Sequence, residues 1–210
     1  MTAVGLLDMI LPSRCAVCEV PGSNLCEKCH FVLLPKPHRF VRGKVFGLAA
    51  TSYSPELSKL LVAFKDKGQF ALVRQLGLLM TPLISELGLL SGNVYLVPAP
   101  SRSENFSKRG YLPSSLLARE LAKGLAQVKV MDCLRFVKTV KDQVGLSSQQ
   151  RQENLVGSMS LNQPVSGKPC FVVDDVVTTG ATAIEAWRAL SEGGALVLGA
   201  LVVSESNSAP

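Results

Sequence analysis

The stretch Phe171-Val172-Val173-Asp174-Asp175-Val176-Val177-Thr178-Thr179-Gly180-Ala181-Thr182 decides the fold. The apolar run that leads into it, Lys168 to Val173, has the length and β-branched content of a buried strand. Two adjacent carboxylates stand at its carboxyl end, where open α/β sheets bind ligands. A Thr-Thr-Gly turn follows, then a helical pattern from about Ala181 to Glu192, Gly193-Gly194, and a second apolar strand from Leu196 to Val203. Strand, helix and strand in this order make a βαβ unit, which implies a parallel sheet with helices packed on it.

The same stretch predicts a chemistry. Backbone N–H groups at the helix start, opened by Gly180 and Ala181 and helped by the hydroxyls of Thr178, Thr179 and Thr182, suit a phosphate dianion. Asp174 and Asp175 would repel that phosphate, so they suit something uncharged or cationic beside it: sugar hydroxyls, or Mg²⁺ held through water. A ribose 5-phosphate meets both demands. This segment resembles the signature of the phosphoribosyltransferases, in which a hydrophobic strand, two acids and a Thr-Thr-Gly-x-Thr loop hold phosphoribosyl pyrophosphate (PRPP). Six fixed positions arise by chance in a chain this long on the order of once in 10⁵. No G-x-G-x-x-G or G-x-x-x-x-G-K-[ST] is present, which sets aside the dinucleotide and P-loop readings.

Upstream, Val94 to Pro98 reads as a short buried strand, followed by Ser101 and Arg102, with Lys108 and Arg109 just beyond. The resemblance implies that such a loop takes the pyrophosphate, Arg forking onto oxygens and Lys acting as a point charge. Residues 101 to 153 carry ten Lys/Arg against five Asp/Glu, and residues 154 to 210 two against five. The net +6 is therefore polarised, which fits an anionic partner and equally a solvated basic face.

Four of the six cysteines cluster as Cys15-x-x-Cys18 and Cys26-x-x-Cys29, with Pro21-Gly22-Ser23-Asn24 as turn material between them. Two such knuckles offer four thiolates to one tetrahedral Zn²⁺, a closed and hence structural site. Disulfides and the Cys26 to His30 haem-attachment pattern are the alternatives, and both call for an oxidising or exported setting. His30 reads as a neighbour rather than a ligand, His38 lies just past the knuckles in sequence, and Cys133 and Cys170 read as small buried hydrophobes.

The rest of the chain reads coarsely. Met1 to Leu11 is expected as an amphipathic helix ending before Pro12, not a signal peptide, and no apolar run is long enough to span a membrane, so a cytoplasmic location is expected. Pro35 to His38 reads as an extended link and Val45 to Tyr53 as one or two strands. Glu56 to Lys65 reads as a helix closed by Gly68, and Phe70 to Leu87 as a helix kinked or split at Pro82. Pro113 to Leu125 is a further helix, Val128 to Met131 a strand, and Phe136 to Ser160 a polar, weakly patterned stretch. Trp187 falls in the last helix, as a core residue. A chain of 210 residues, 47% hydrophobic and 18% charged, is globular and fits one domain with a small appendage.

The chain resembles the ComF family, competence-associated proteins in which an amino-terminal four-Cys zinc module joins a phosphoribosyltransferase-like domain. The matching residues run nearly end to end: the Leu-Leu-Asp start, both C-x-x-C pairs, Phe64-Lys65 with Gly68, Val97-Pro-x-Pro100, Arg109-Gly110-Tyr111, Gln143-x-x-Leu146, Arg151-x-x-Asn154, and Asp174 to Thr182. The resemblance implies an α/β fold, a type I phosphoribosyltransferase-like parallel sheet flanked by helices, with a small module at residues 1–40 and the larger domain at 41–210. It also implies PRPP and Mg²⁺ binding and a role in handling DNA during natural transformation. Arg151 and Asn154 would belong to a loop that shields the site. Asp66 stands where the family usually has Tyr, and Leu112-Pro113 where it usually has Asn-Gln. Two readings follow: an enzyme transferring phosphoribose to an acceptor, or a PRPP-sensing module that binds single-stranded DNA or a competence protein.

Overall fold

The computed structural model describes residues 13–87, 92–101, 109–138 and 154–206. The expected helix over Met1 to Leu11 and the candidate residues Arg102, Lys108 and Arg151 lie outside them. Eight strands are present among the described residues: β1 (His38–Arg42), β2 (Val45–Ser52), β3 (Val94–Pro98), β4 (Val128–Val130), β5 (Leu134–Phe136), β6 (Met159–Leu161), β7 (Pro169–Val177) and β8 (Leu196–Glu205). Five helices accompany them: α1 (Glu27–Val32), α2 (Pro55–Lys65), α3 (Val73–Leu87), α4 (Pro113–Ala122) and α5 (Ala181–Glu192).

The main sheet has the order β1-β2-β8-β7-β3-β4. Every pairing in it is parallel except β1 with β2. The departure from an all-parallel sheet has a local cause: only Gly43 and Lys44 separate β1 from β2, and Gly43 takes φ +58, as a two-residue hairpin requires. Strand β1 begins where an extended link is expected, because Phe40 buries its ring and pulls the segment into the ladder. Strands β5 and β6 pair antiparallel as a separate ribbon, so both ends of the weakly patterned stretch are ordered by pairing with each other.

Helix α2 shows why these elements form. Ser54 caps it, its hydroxyl accepting from the Leu57 N–H at 3.1 Å, and Pro55 opens its first turn. Leu57, Leu60, Leu61 and Phe64 form its buried stripe, each contributing about 1.5–3 kcal/mol by leaving water. Gly68 at φ +68 follows its end. Helix α3 starts after a 3₁₀ turn at Phe70–Leu72 and runs through Pro82 without a break.

Two cores cover the two faces of the sheet. On one face Val173, Leu201 and Val203 pack with α2, α3 and α4, and Cys15, Val17, Cys29 and Leu33 join the same cluster. On the other, Val172, Ala200 and Val202 pack against Ala183, Ala186 and Ala189 of α5. That stripe of alanines lets α5 lie close on the strands. Trp187 is half-buried on α5, its ring edge-on to Phe46 at 5.2 Å. No described helix is long and apolar enough to cross a membrane.

Candidate functional site

The alternation of β7 separates its two acids. Val172 faces α5 and Val173 faces the α2 side, so Asp174 continues toward α5 and Asp175 toward α2. The strand runs four residues beyond the expected Val173, since Val176 and Val177 still pair with Ser204 and Glu205 of β8. Both carboxylates thus sit within the ladder, and each takes the N–H of the next residue, Asp174 at 2.9 Å and Asp175 at 2.6 Å. Burial lifts the Asp174 carboxyl from its ordinary range to about 6, with Lys65 partly opposing the rise.

Lys65, in the last turn of α2, forms an ion pair with Asp175. It lines a cleft of about 260 Å³ together with Ser101, Arg109, Asp174, Asp175, Thr178 and Thr182. Burial pushes the Lys65 ammonium below its ordinary range, the Asp174 charge opposes that, and Arg109 adds to it. Arg109 itself pairs with Asp66 at 2.7 Å. Tyr111 donates its hydroxyl to the Phe64 carbonyl, tying the start of α4 to the end of α2. Ser114 in the first turn of α4 donates to the Ala99 carbonyl at 2.6 Å, which fixes the loop after β3.

The loop from Thr178 to Thr182 borders the cleft and also a smaller hollow of about 30 Å³, which Asp174, Thr179, Gly180 and Ala181 help to line. Gly180 caps α5 at φ +79. A Cβ there would lie 2.6 Å from the Cβ of Arg42, so only glycine fits. Arg42 holds the loop from the β1 side: its Nε donates to the Thr178 carbonyl at 2.9 Å and its guanidinium pairs with Glu205. Glu205 also meets His38 at 3.1 Å, so that imidazole reaches the carboxyl end of β8 rather than staying with the knuckles.

The four thiols form a second cluster. The sulfurs of Cys15, Cys18, Cys26 and Cys29 all lie within 4.8 Å of one another. Four sulfurs placed tetrahedrally at ~2.3 Å from one ion would be ~3.8 Å apart, so the spacing fits a closed metal site. Burial raises Cys15, but backbone N–H bonds from Cys18, Cys26 and Val17 outweigh it and hold the thiol down at about 6. Burial pushes Cys29 up. Lys59 of α2 donates to the Val17 carbonyl at 3.4 Å, seating the first knuckle on the helix. Cys133 and Cys170 are fully buried, and burial raises their thiols to about 11 and about 12, as inert core residues.

The sequence model of the phosphoribosyl transferase domain family matches residues 107–210. DNA utilization protein YhgH of Salmonella typhimurium is 30% identical over 189 residues, a match covering 87% of this chain and 80% of the relative. The chain belongs to the ComF-type family of these DNA utilization proteins. The Escherichia coli K12 relative is 27% identical to this ComF-type chain over 187 residues, covering 86% of it and 79% of the relative. Among solved structures, an orotate phosphoribosyltransferase of Mycobacterium tuberculosis is 16% identical with a TM-score of 0.42, covering 85% of this chain and 82% of that one. An adenine phosphoribosyltransferase is 15% identical with a TM-score of 0.41, covering 84% and 89%.

The ComF-type chain thus brings Asp174, Asp175, Ser101, Arg109 and the Thr178–Thr182 loop together. Sequence reading missed Lys65, Arg42, Ser114 and Glu205 as members of this constellation. Only Lys65 left a signal, as part of the Phe64-Lys65 match. Arg42 and Glu205 enter through strand order, which no local motif encodes.

Proposed function

We propose that the chain binds PRPP with Mg²⁺ in the cleft at the end of β7 and acts as a phosphoribosyltransferase-type protein in DNA utilization. The observation that carries this reading is the junction of Asp174 and Asp175 with a Thr-rich loop opening α5, lining one cleft together with Arg109 and Lys65. In this reading the N–H groups and hydroxyls from Thr178 to Thr182 take the 5′-phosphate. Asp174 and Asp175 take the ribose hydroxyls, and Ser101 and Arg109, with Arg102, Lys108 and Arg151, take the pyrophosphate. The raised Asp174 carboxyl fits a partner that donates hydrogen bonds or brings positive charge. Mg²⁺, when bound, would neutralise charge that develops on the leaving group. Transfer would break the bond from ribose C1 to the pyrophosphate oxygen, which keeps the electron pair, and form a bond from C1 to an acceptor that releases its proton.

The four-Cys cluster is read as a structural Zn²⁺ site of an amino-terminal module at residues 1–40, and residues 41–210 as the phosphoribosyltransferase-like domain. The relatives' name, DNA utilization protein, supports carrying a DNA-handling role over to this chain, with single-stranded DNA or a competence protein as partner, in the cytoplasm. Calorimetry with PRPP and Mg²⁺ tests the reading: one saturable site is expected, weakened at least ~100-fold by Asp174→Asn with Asp175→Asn, since two charge-assisted contacts are lost. Equal affinity in the double variant sinks it. Pyrophosphate release with candidate acceptors then reads turnover separately from binding.

A further inference from the structure

Lys65 is 28% exposed and Asp175 10%, and their ion pair lies inside the cleft lined by Asp174, Ser101 and Arg109. The carboxylate pair therefore carries a cation of the protein's own. A cation that takes the Asp175 oxygen held by Lys65 must take the place of the ammonium. A bare divalent ion that took both carboxylates would leave Lys65 with only the Asp66 charge, itself paired with Arg109, in a half-buried cleft, which is an unfavourable exchange. A neutral hydroxyl that displaced the ammonium would bring it no charge in exchange. A ligand with an anionic group next to its hydroxyls offers the displaced ammonium new acceptors, and the exchange becomes favourable.

We infer that Lys65 is a specificity-determining residue: it occupies Asp175 beside Asp174 in the free protein and yields that carboxylate only to a sugar phosphate bearing a second anionic group at C1. The inference deepens the PRPP reading and rests on it for the identity of the ligand. Discrimination against free divalent ions and against ribose 5-phosphate is then built into the last turn of α2. Lys65 sets which ligands enter, and the loop and the carboxylates hold them.

The test uses Mn²⁺ as a spectroscopic probe of the full chain with no sugar ligand present. By electron paramagnetic resonance titration, Lys65→Met is expected to bind Mn²⁺ at least tenfold more tightly than wild type, and Lys65→Arg, which keeps the charge, no more tightly than wild type. Unchanged Mn²⁺ affinity in a folded Lys65→Met chain overturns the inference. Circular dichroism checks folding, and Lys65→Gln replaces the Met variant with the same expectation if Met does not fold. In a second arm, calorimetry at saturating Mg²⁺ compares PRPP with ribose 5-phosphate; the wild-type preference for PRPP should shrink at least tenfold in Lys65→Met, and an unchanged preference overturns the inference. Tightened Mn²⁺ binding in a series whose wild type takes no PRPP rejects PRPP as the ligand and upholds the resident lysine, so the two failures are distinguishable.

Discussion

Cys15 is held low by neutral backbone dipoles, the N–H groups of Cys18, Cys26 and Val17, whereas Asp175 is met by the full charge of Lys65. Dipoles stabilise an anion without cancelling it, so the Cys15 sulfur stays open to an external cation. A lysine cancels the charge, so an external cation must compete at the carboxylates. In the proposed reading the two clusters therefore differ in what completes them: an added ion at the knuckles, a side chain of the fold at the cleft.

The largest expected effect is at the thiols. Stripping metal with a chelator, or Cys29→Ser, should lower the thermal midpoint by ~10–20 °C, the consequence of losing about 5 kcal/mol of structural metal binding. Metal analysis should give one zinc per chain beforehand. A midpoint unmoved by chelation would erase the contrast. At the carboxylates the effect should be smaller: Asp175→Asn leaves the ammonium without its partner and should cost about 1–3 kcal/mol in urea unfolding, reduced by the partial exposure of Lys65. Chelator should leave that difference unchanged.

Asp174 sharpens the contrast through pH. Its folded value of about 6 lies above the ordinary 3.8, so between about pH 4 and 6 the folded chain binds more protons than the unfolded one. Stability contributed by this group is complete below about pH 4 and falls as pH rises toward 6. Asp174→Asn should flatten that slope in denaturant titrations, and a slope that survives the substitution assigns it elsewhere. The smallest effect is expected at Asp66–Arg109, where Asp66 is 53% exposed: a double-mutant cycle should return less than about 1 kcal/mol of coupling.

The strand-loop-helix at Asp174 to Thr182 and the two knuckles were legible because each is contiguous in sequence and its chemistry follows from residue type and spacing. The helices expected at Glu56 to Lys65 and Ala181 to Glu192 were legible from periodicity and from the glycines that follow them. What stayed hidden depends on the meeting of distant segments. Strand β1 carries no clean alternation, and it pairs because Phe40 has a core to enter. Arg42 and Glu205 stand 163 positions apart and meet only because β2 lies between β1 and β8. Asp66, a departure from the family pattern, finds its role in the structure as the partner of Arg109.

Helix α2 touches both clusters. Lys59 grips the first knuckle through the Val17 carbonyl, and six positions later Lys65 reaches Asp175. Eleven residues at 1.5 Å each make a rigid strut of ~16 Å. Its buried stripe packs in the same core as Cys15 and Cys29. One short helix therefore carries a lysine to each cluster, so the segment that reads in sequence as a plain amphipathic helix is the covalent link between the knuckles and the cleft.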